Sequence, residues 1–189
     1  MPRTYGDRVS TPIDLGRPLS GDVVDLILDD HERFEKLLRD LRNSASDRDA
    51  VRRAFSALHV AHALAEERHV YPKLRWRGAV GEDEEEHGKE EHAEGNEALL
   101  KVLELKGTDT QAFDDAVKEL AEAVTHHLTE EELTILNPAR DEVGAPTRAE
   151  LGLAFASERN KLIDDGCGSL TQVRELVARA QRQGLLDDD

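Results

Sequence analysis

Four stretches of this chain carry apolar residues close to a helical spacing, alternating by four and three in the second and fourth, and in each of them one position of the stripe is a histidine. That period belongs to an α-helix with one buried face. The first stretch runs from near Ser20 to Asn43 with Val24, Leu28, His31 and Leu38, and the second from Asp47 toward Trp76 with Val51, Phe55, Leu58, His62 and Ala65. The third spans Glu82 to Lys106, closed by Gly107, with His92, Leu99 and Leu103 inward. The fourth opens at Asp109 or Thr110, carries Phe113, Val117, Leu120, Val124, His127 and Ile135, and is expected to stop at Pro138. Pro72, inside the second stretch, predicts a kink near its end.

None of these stripes can be buried by its own helix, and the short polar loops between them favour antiparallel neighbours. The expected fold is therefore all-α: an up-down antiparallel four-helix bundle over residues 20–140. Residues 1–19, punctuated by proline, read as an extended N-terminal arm. Residues 141–189 read as a C-terminal helical appendage. Thr147 with Glu150 suggests a capping box for a fifth helix, Ser169 a cap for a sixth, and Gly166, Cys167 and Gly168 the turn between them. Aromatics make up only 4% of the chain, and no alternating β-branched run suggests a strand.

Charge narrows the partners. The chain holds 41 acidic against 25 basic residues, a net charge of −16, which repels phosphate backbones and anionic lipids. Neither nucleic acid nor a membrane is expected to bind. A lone cysteine, Cys167, excludes an internal disulfide, and the polar segment from Met1 to Gly6 lacks the apolar core of a signal peptide. A cytoplasmic protein, monomer or homodimer, is the expectation.

The histidines give the sharper signal. An imidazole in a core is costly unless both nitrogens are satisfied. Antiparallel neighbours align residues equally far from their shared loop, and by that measure His31, His62, His92 and His127 fall within about one turn of a common level. His62 and His127 are each followed four residues later by a glutamate, Glu66 and Glu131, which places each pair on one helix face. Buried carboxylates beside imidazoles are compensated by cations, and this donor set suits non-haem iron or manganese.

Asp30-His31, the His62 to Glu66 spacing followed by Tyr71-Pro72, Glu91-His92, and the His127 to Glu131 spacing together resemble the hemerythrin-like family of HHE cation-binding domains over residues 20–140. The resemblance implies an up-down bundle holding two iron ions joined by an oxo or hydroxo bridge. It makes His31, His62, His92 and His127 terminal metal ligands and Glu66 and Glu131 bridging ones; manganese and zinc suit the same donors. In animal hemerythrins two histidines stand four apart on the third helix. Here His87 precedes His92 by five, about 140° away on a straight helix. His87 is then a secondary candidate that only an irregular turn at Gly88 would swing inward. Asn137 replaces the aromatic residue usual before the proline that ends helix four.

Four histidines, two bridging carboxylates and the bridging oxygen would leave about two of twelve coordination positions open on two six-coordinate irons. That count favours reaction with dioxygen, nitric oxide or peroxide over reversible carriage. The alternative is an iron- or redox-responsive regulatory or storage protein without turnover. Other residues take plainer roles. His59 and His69 read as partly buried histidines bonded to carboxylates, with His59 and Glu35 as further secondary candidates for the centre. Tyr71 reads as packing, His126 and the acidic run Glu82 to Glu86 as solvated, and Cys167 as a small turn residue.

Overall fold

Aspartate, threonine and serine side chains cap the starts of the helices that open at Val23, Arg48, Gln111 and Leu170. Asp22 accepts from the Val24 N–H ahead of α1 (Val23–Arg42), and Asp47 accepts from Ala50 ahead of α2 (Arg48–Ala65). α3 is Tyr71–Trp76. α4 (Glu82–Glu104) has no side-chain cap, but four acidic residues in its first turn complement the positive end of its dipole. Thr110 caps α5 (Gln111–Glu131), which leads to α6 (Asn137–Glu142). α7 is Ala145–Asp164, and Ser169 caps α8 (Leu170–Gln183). The computed structural model describes residues 13–186, and among the described residues there are helices and no strand. Most of the 1–19 arm, including the Met1 to Gly6 segment, lies outside them.

Neither proline ends a helix. The backbone passes from α2 to α3 through one π turn, Glu66–Val70, in which the Tyr71 N–H donates to the Glu66 carbonyl five residues back. α5 does the same through Glu132–Leu136, where Asn137 donates to Glu132. Pro72 and Pro138 then fall in the first turn of α3 and α6, where a missing N–H costs little. The helix expected to stop at Pro138 therefore continues to Glu142, and the wider turn takes the place of the kink expected at Pro72.

Side-chain contacts join the successive helices of residues 23–142. Between α1 and α2, Arg48 bonds the Arg42 carbonyl while Phe34 packs on Phe55 and His31 on His62. Between α2 and α4, Arg52 bonds the Leu105 carbonyl and Glu67 meets His92. Between α4 and α5, Lys101 meets Glu119 and Glu91 meets His127. α5 and α6 return to α1 through Glu132 with His31 and Arg140 with Asp25.

Two apolar clusters fill the interior. One holds Phe34, Phe55, Leu58, Leu99, Phe113 and Leu120; the other holds Ile27, Val70, Leu74, Ile135, Leu151 and Phe155. Between them lies a buried polar layer that contains the stripe histidines. α7 lies along α1 and α2, and α8 along α4. Each completes a cluster, α7 through Phe155 and α8 through Val173.

Local details differ from the sequence reading. α4 ends at Glu104, before Gly107. Gly144 is the cap of α7 and Pro146 lies in its first turn, about one turn earlier than a Thr147/Glu150 box would place it. Gly166 and Gly168 do form the expected turn, with φ of 76° and 85°, and a side chain at Gly168 would collide with the Ser56 backbone at 2.6 Å. No described helix is long and apolar enough to cross a membrane.

Candidate metal centre

His31 projects from α1, His62 from α2, His92 from α4 and His127 from α5. None is more than 4% exposed, and Glu66 and Glu131 beside them are at 0% and 1%. Glu66 spans two of the histidines, with Oε1 3.1 Å from His62 Nε2 and Oε2 3.2 Å from His92 Nε2. Glu131 Oε2 lies 3.1 Å from His31 Nε2 and 3.7 Å from His127 Nε2. Two sets of three donors result, His31/His62/Glu131 and Glu66/His92/His127, and the ligand atoms of each set lie within 4.8 Å of one another.

Of these pairs only His31 Nε2 and Glu131 Oε2 hydrogen-bond. Nε2 of His62, His92 and His127 and both oxygens of Glu66 are buried and make no hydrogen bond. Such atoms would be costly unless something between them takes their lone pairs. Two divalent cations fit: imidazole and carboxylate are donors for iron, manganese or zinc.

The opposite nitrogen of every ring is anchored by a carboxylate. Nδ1 of His31 donates to Glu132 (2.9 Å), of His62 to Asp30 (3.2 Å), of His92 to Glu67 (3.0 Å) and of His127 to Glu91 (3.1 Å). The acceptors set the tautomer and leave Nε2 free to ligate. The pattern is twofold. Asp30-His31 on α1 answers to Glu91-His92 on α4, and His62, Glu66 and Glu67 answer to His127, Glu131 and Glu132, each followed by a π turn and a proline.

The two halves differ at Tyr71 and around Asp30. Tyr71, fully buried, donates its O–H to Glu131 Oε1 at 2.8 Å and stacks on His92. Packing alone was expected of it. In an α-helix Val70, four after Glu66, would lie beneath it; the π turn gives that place to Tyr71, and an acceptor comes within reach. The other difference is Arg159 of α7, at 0% exposure, which grips both oxygens of Asp30 at 2.6 and 2.8 Å.

Without cations the centre holds protons instead. Burial pushes the His62 imidazole down, but Glu66 and Asp30 outweigh it and raise it to about 10. His92, likewise opposed by burial, is raised to about 9 by Glu66 and Glu67. Burial and the neighbouring His92 lower His127. Burial would raise the Glu131 carboxyl, but His31 and His127 hold it far below the usual carboxylate range.

The secondary candidates do not join. His87 is 53% exposed and faces Glu90 and Glu91, and Glu35 is 65% exposed and pairs with Arg39. His59 is buried between Phe34 and Phe55, with Nε2 unpartnered and no carboxylate bonded to it, and its ring fills the space at Gly95. Burial, then the nearby histidines, push its imidazole well below the ordinary value. His69 faces Glu158 at 3.8 Å and His126 is exposed. Glu85, expected in solvent, is buried and paired with Arg75 and Lys89. Cys167 donates to the Ala57 carbonyl, and burial raises its thiol to about 11. Sequence reasoning missed the anchoring carboxylates, although a second glutamate follows directly after both Glu66 and Glu131. No local pattern marks Arg159.

No solved structure matches the chain. A DNA nickase from Nostoc sp. (strain PCC 7120) is 26% identical over 143 residues, 74% of this chain but 40% of the nickase. This chain thus spans well under half the length of that relative. A family model described as the hemerythrin HHE cation binding domain matches residues 22–138, the segment that carries all four stripe histidines and both inner glutamates. The chain belongs to the hemerythrin HHE cation-binding domain family.

Proposed function

We propose that α1, α2, α4 and α5 form an up-down bundle that holds two iron ions, one at His31, His62 and Glu131 and one at Glu66, His92 and His127, and that the pair acts on dioxygen, nitric oxide or peroxide. One observation carries the reading: the buried Nε2 atoms of His62, His92 and His127 and both carboxylate oxygens of Glu66 converge with no hydrogen-bond partner, beside the paired His31 and Glu131. Two bound irons would supply Lewis acidity and electrons to a small oxidant. The protein's part is positional. The carboxylates at Nδ1 hold each imidazole in its ligating orientation, Glu66 and Glu131 each reach a histidine of both sets, and the two apolar clusters limit water to either side. Tyr71 donates its O–H to Glu131 Oε1, which leaves Oε2 to face His31 and His127.

Nicking is not carried over from the cyanobacterial relative, because a chain of net charge −16 repels the phosphate backbone. A regulatory role without turnover is the second reading, favoured by the direct bond from the appendage helix to Asp30. Protein loaded with iron under argon is expected to contain close to two irons per chain and to change its near-ultraviolet and visible absorption when dioxygen, nitric oxide or hydrogen peroxide is added. Iron bound without any spectral response moves the assignment to the second reading, and protein that binds no iron refutes both.

A further inference from the structure

Arg159 lies beyond residues 22–138, yet it reaches the candidate centre. Its Nε and one terminal nitrogen bind Asp30, the acceptor of His62 Nδ1, and its remaining bonds go to the carbonyls of Leu15 and Gly16 and to Asn160. Arginine and aspartate are 0% and 1% exposed, so water screens little of the charge between them. The arm carbonyls tie down the rest of the fork. Across the pseudo-twofold, Glu91 does for His127 what Asp30 does for His62. Its other neighbours are the imidazoles of His87 and His126, at 3.6 and 3.5 Å and 53% and 61% exposed. No guanidinium bonds to Glu91 among the described residues, whereas Asp30 also meets the partly exposed guanidinium of Arg33 at 3.3 Å, a longer contact than either from Arg159.

A carboxylate that accepts the Nδ1 proton of a ligating imidazole pushes electron density toward Nε2. A guanidinium holding both oxygens of that carboxylate draws the density back and adds a buried positive charge beside the cation. We propose that Arg159 makes the two cation sites unequal, weakening the one at His31, His62 and Glu131, so that the one at Glu66, His92 and His127 fills first. The inference rests on the two-cation reading above and adds an order of filling set from outside the family's own domain. Losing an outer partner of a metal ligand changes affinity about 10- to 100-fold, and the gap between the sites is of that order.

The test is an anaerobic titration of the full chain with cobalt(II), following heat for the affinities and proton NMR for the imidazoles. Two steps separated by about 10- to 100-fold are expected, with the first equivalent shifting His92 and His127 before His31 and His62. Arg159→Met strengthens the weaker step and narrows the gap, Arg33 still meeting Asp30, whereas Arg159→Lys, which keeps the charge, keeps the order. Should Arg159→Met fail to fold, Glu91→Gln serves from the other half, weakening the tighter step until the two approach each other. Equal steps, reversed filling, or an unchanged gap in Arg159→Met or in Glu91→Gln overturns the inference; a purely structural arginine would lower the unfolding midpoint and leave the ratio of the steps alone. Two equal cobalt sites sink this inference only, while no cobalt bound sinks the two-cation reading as well.

Discussion

Loading the centre with cations should expel protons, and the number follows from the geometry. With their rings held at about 10 and about 9, roughly one His62 in a thousand and one His92 in a hundred is neutral at pH 7. Both Nε2 atoms must be bare to ligate, so about two protons leave per chain when two cations bind. Below both values each proton contributes tenfold per pH unit, and the product of the two affinities should rise about a hundredfold between pH 7 and pH 8. The same shifts stabilise the cation-free fold, by about 5 kcal/mol for His62 and about 3 for His92, not additively because both depend on Glu66. Both values are raised, so that stability is fully present below pH 6.5 and is lost as pH climbs through about 9 and then about 10. Calorimetric titration in two buffers of different ionisation enthalpy counts the protons, and urea unfolding across pH follows the stability. Release of fewer than one proton at pH 7, or an affinity indifferent to pH, would refute the reasoning.

Tyr71→Phe removes an O–H that meets a buried carboxylate at 2.8 Å but keeps the ring on His92, and should lower cation-free stability by about 1.5–3 kcal/mol in urea unfolding. A loss below about 0.5 kcal/mol would mean the hydroxyl contributes nothing there. Glu66→Gln and Glu131→Gln should each cut tightly bound metal by at least half in elemental analysis, whereas Glu35→Gln and His87→Ala, both on exposed side chains, should leave it unchanged. Cys167, raised from 9.0 to about 11, should react with iodoacetamide at pH 8 about a hundredfold more slowly than an ordinary cysteine; an equal rate would show that the Ala57 contact does not persist.

The four stripes and the level of their histidines were legible because helical period and loop distance are local quantities. Ile27 and Val102, each one position from the stripe residues Leu28 and Leu103, are the more deeply buried; phase errors of that size come from straight-helix counting. The π turns were not legible, since their wider hydrogen-bond ring leaves no periodic mark beyond the proline that follows. Without them Tyr71 could only be read as packing and Pro138 only as an end. Arg159 was hidden for a different reason. Its partner stands 129 positions earlier in the chain, and nothing in its neighbours Glu158 and Asn160 separates it from a solvated arginine of an amphipathic helix.

The two widened turns also set where this chain can change length. Adding or deleting one residue in the connections around Gly78 or Thr108 lengthens or shortens a surface bend and leaves every helix in phase. The same edit between His62 and Pro72, or between His127 and Pro138, rotates everything beyond it by about 100°. Tyr71 would leave Glu131, and the proline ring would be driven against a carbonyl it now avoids.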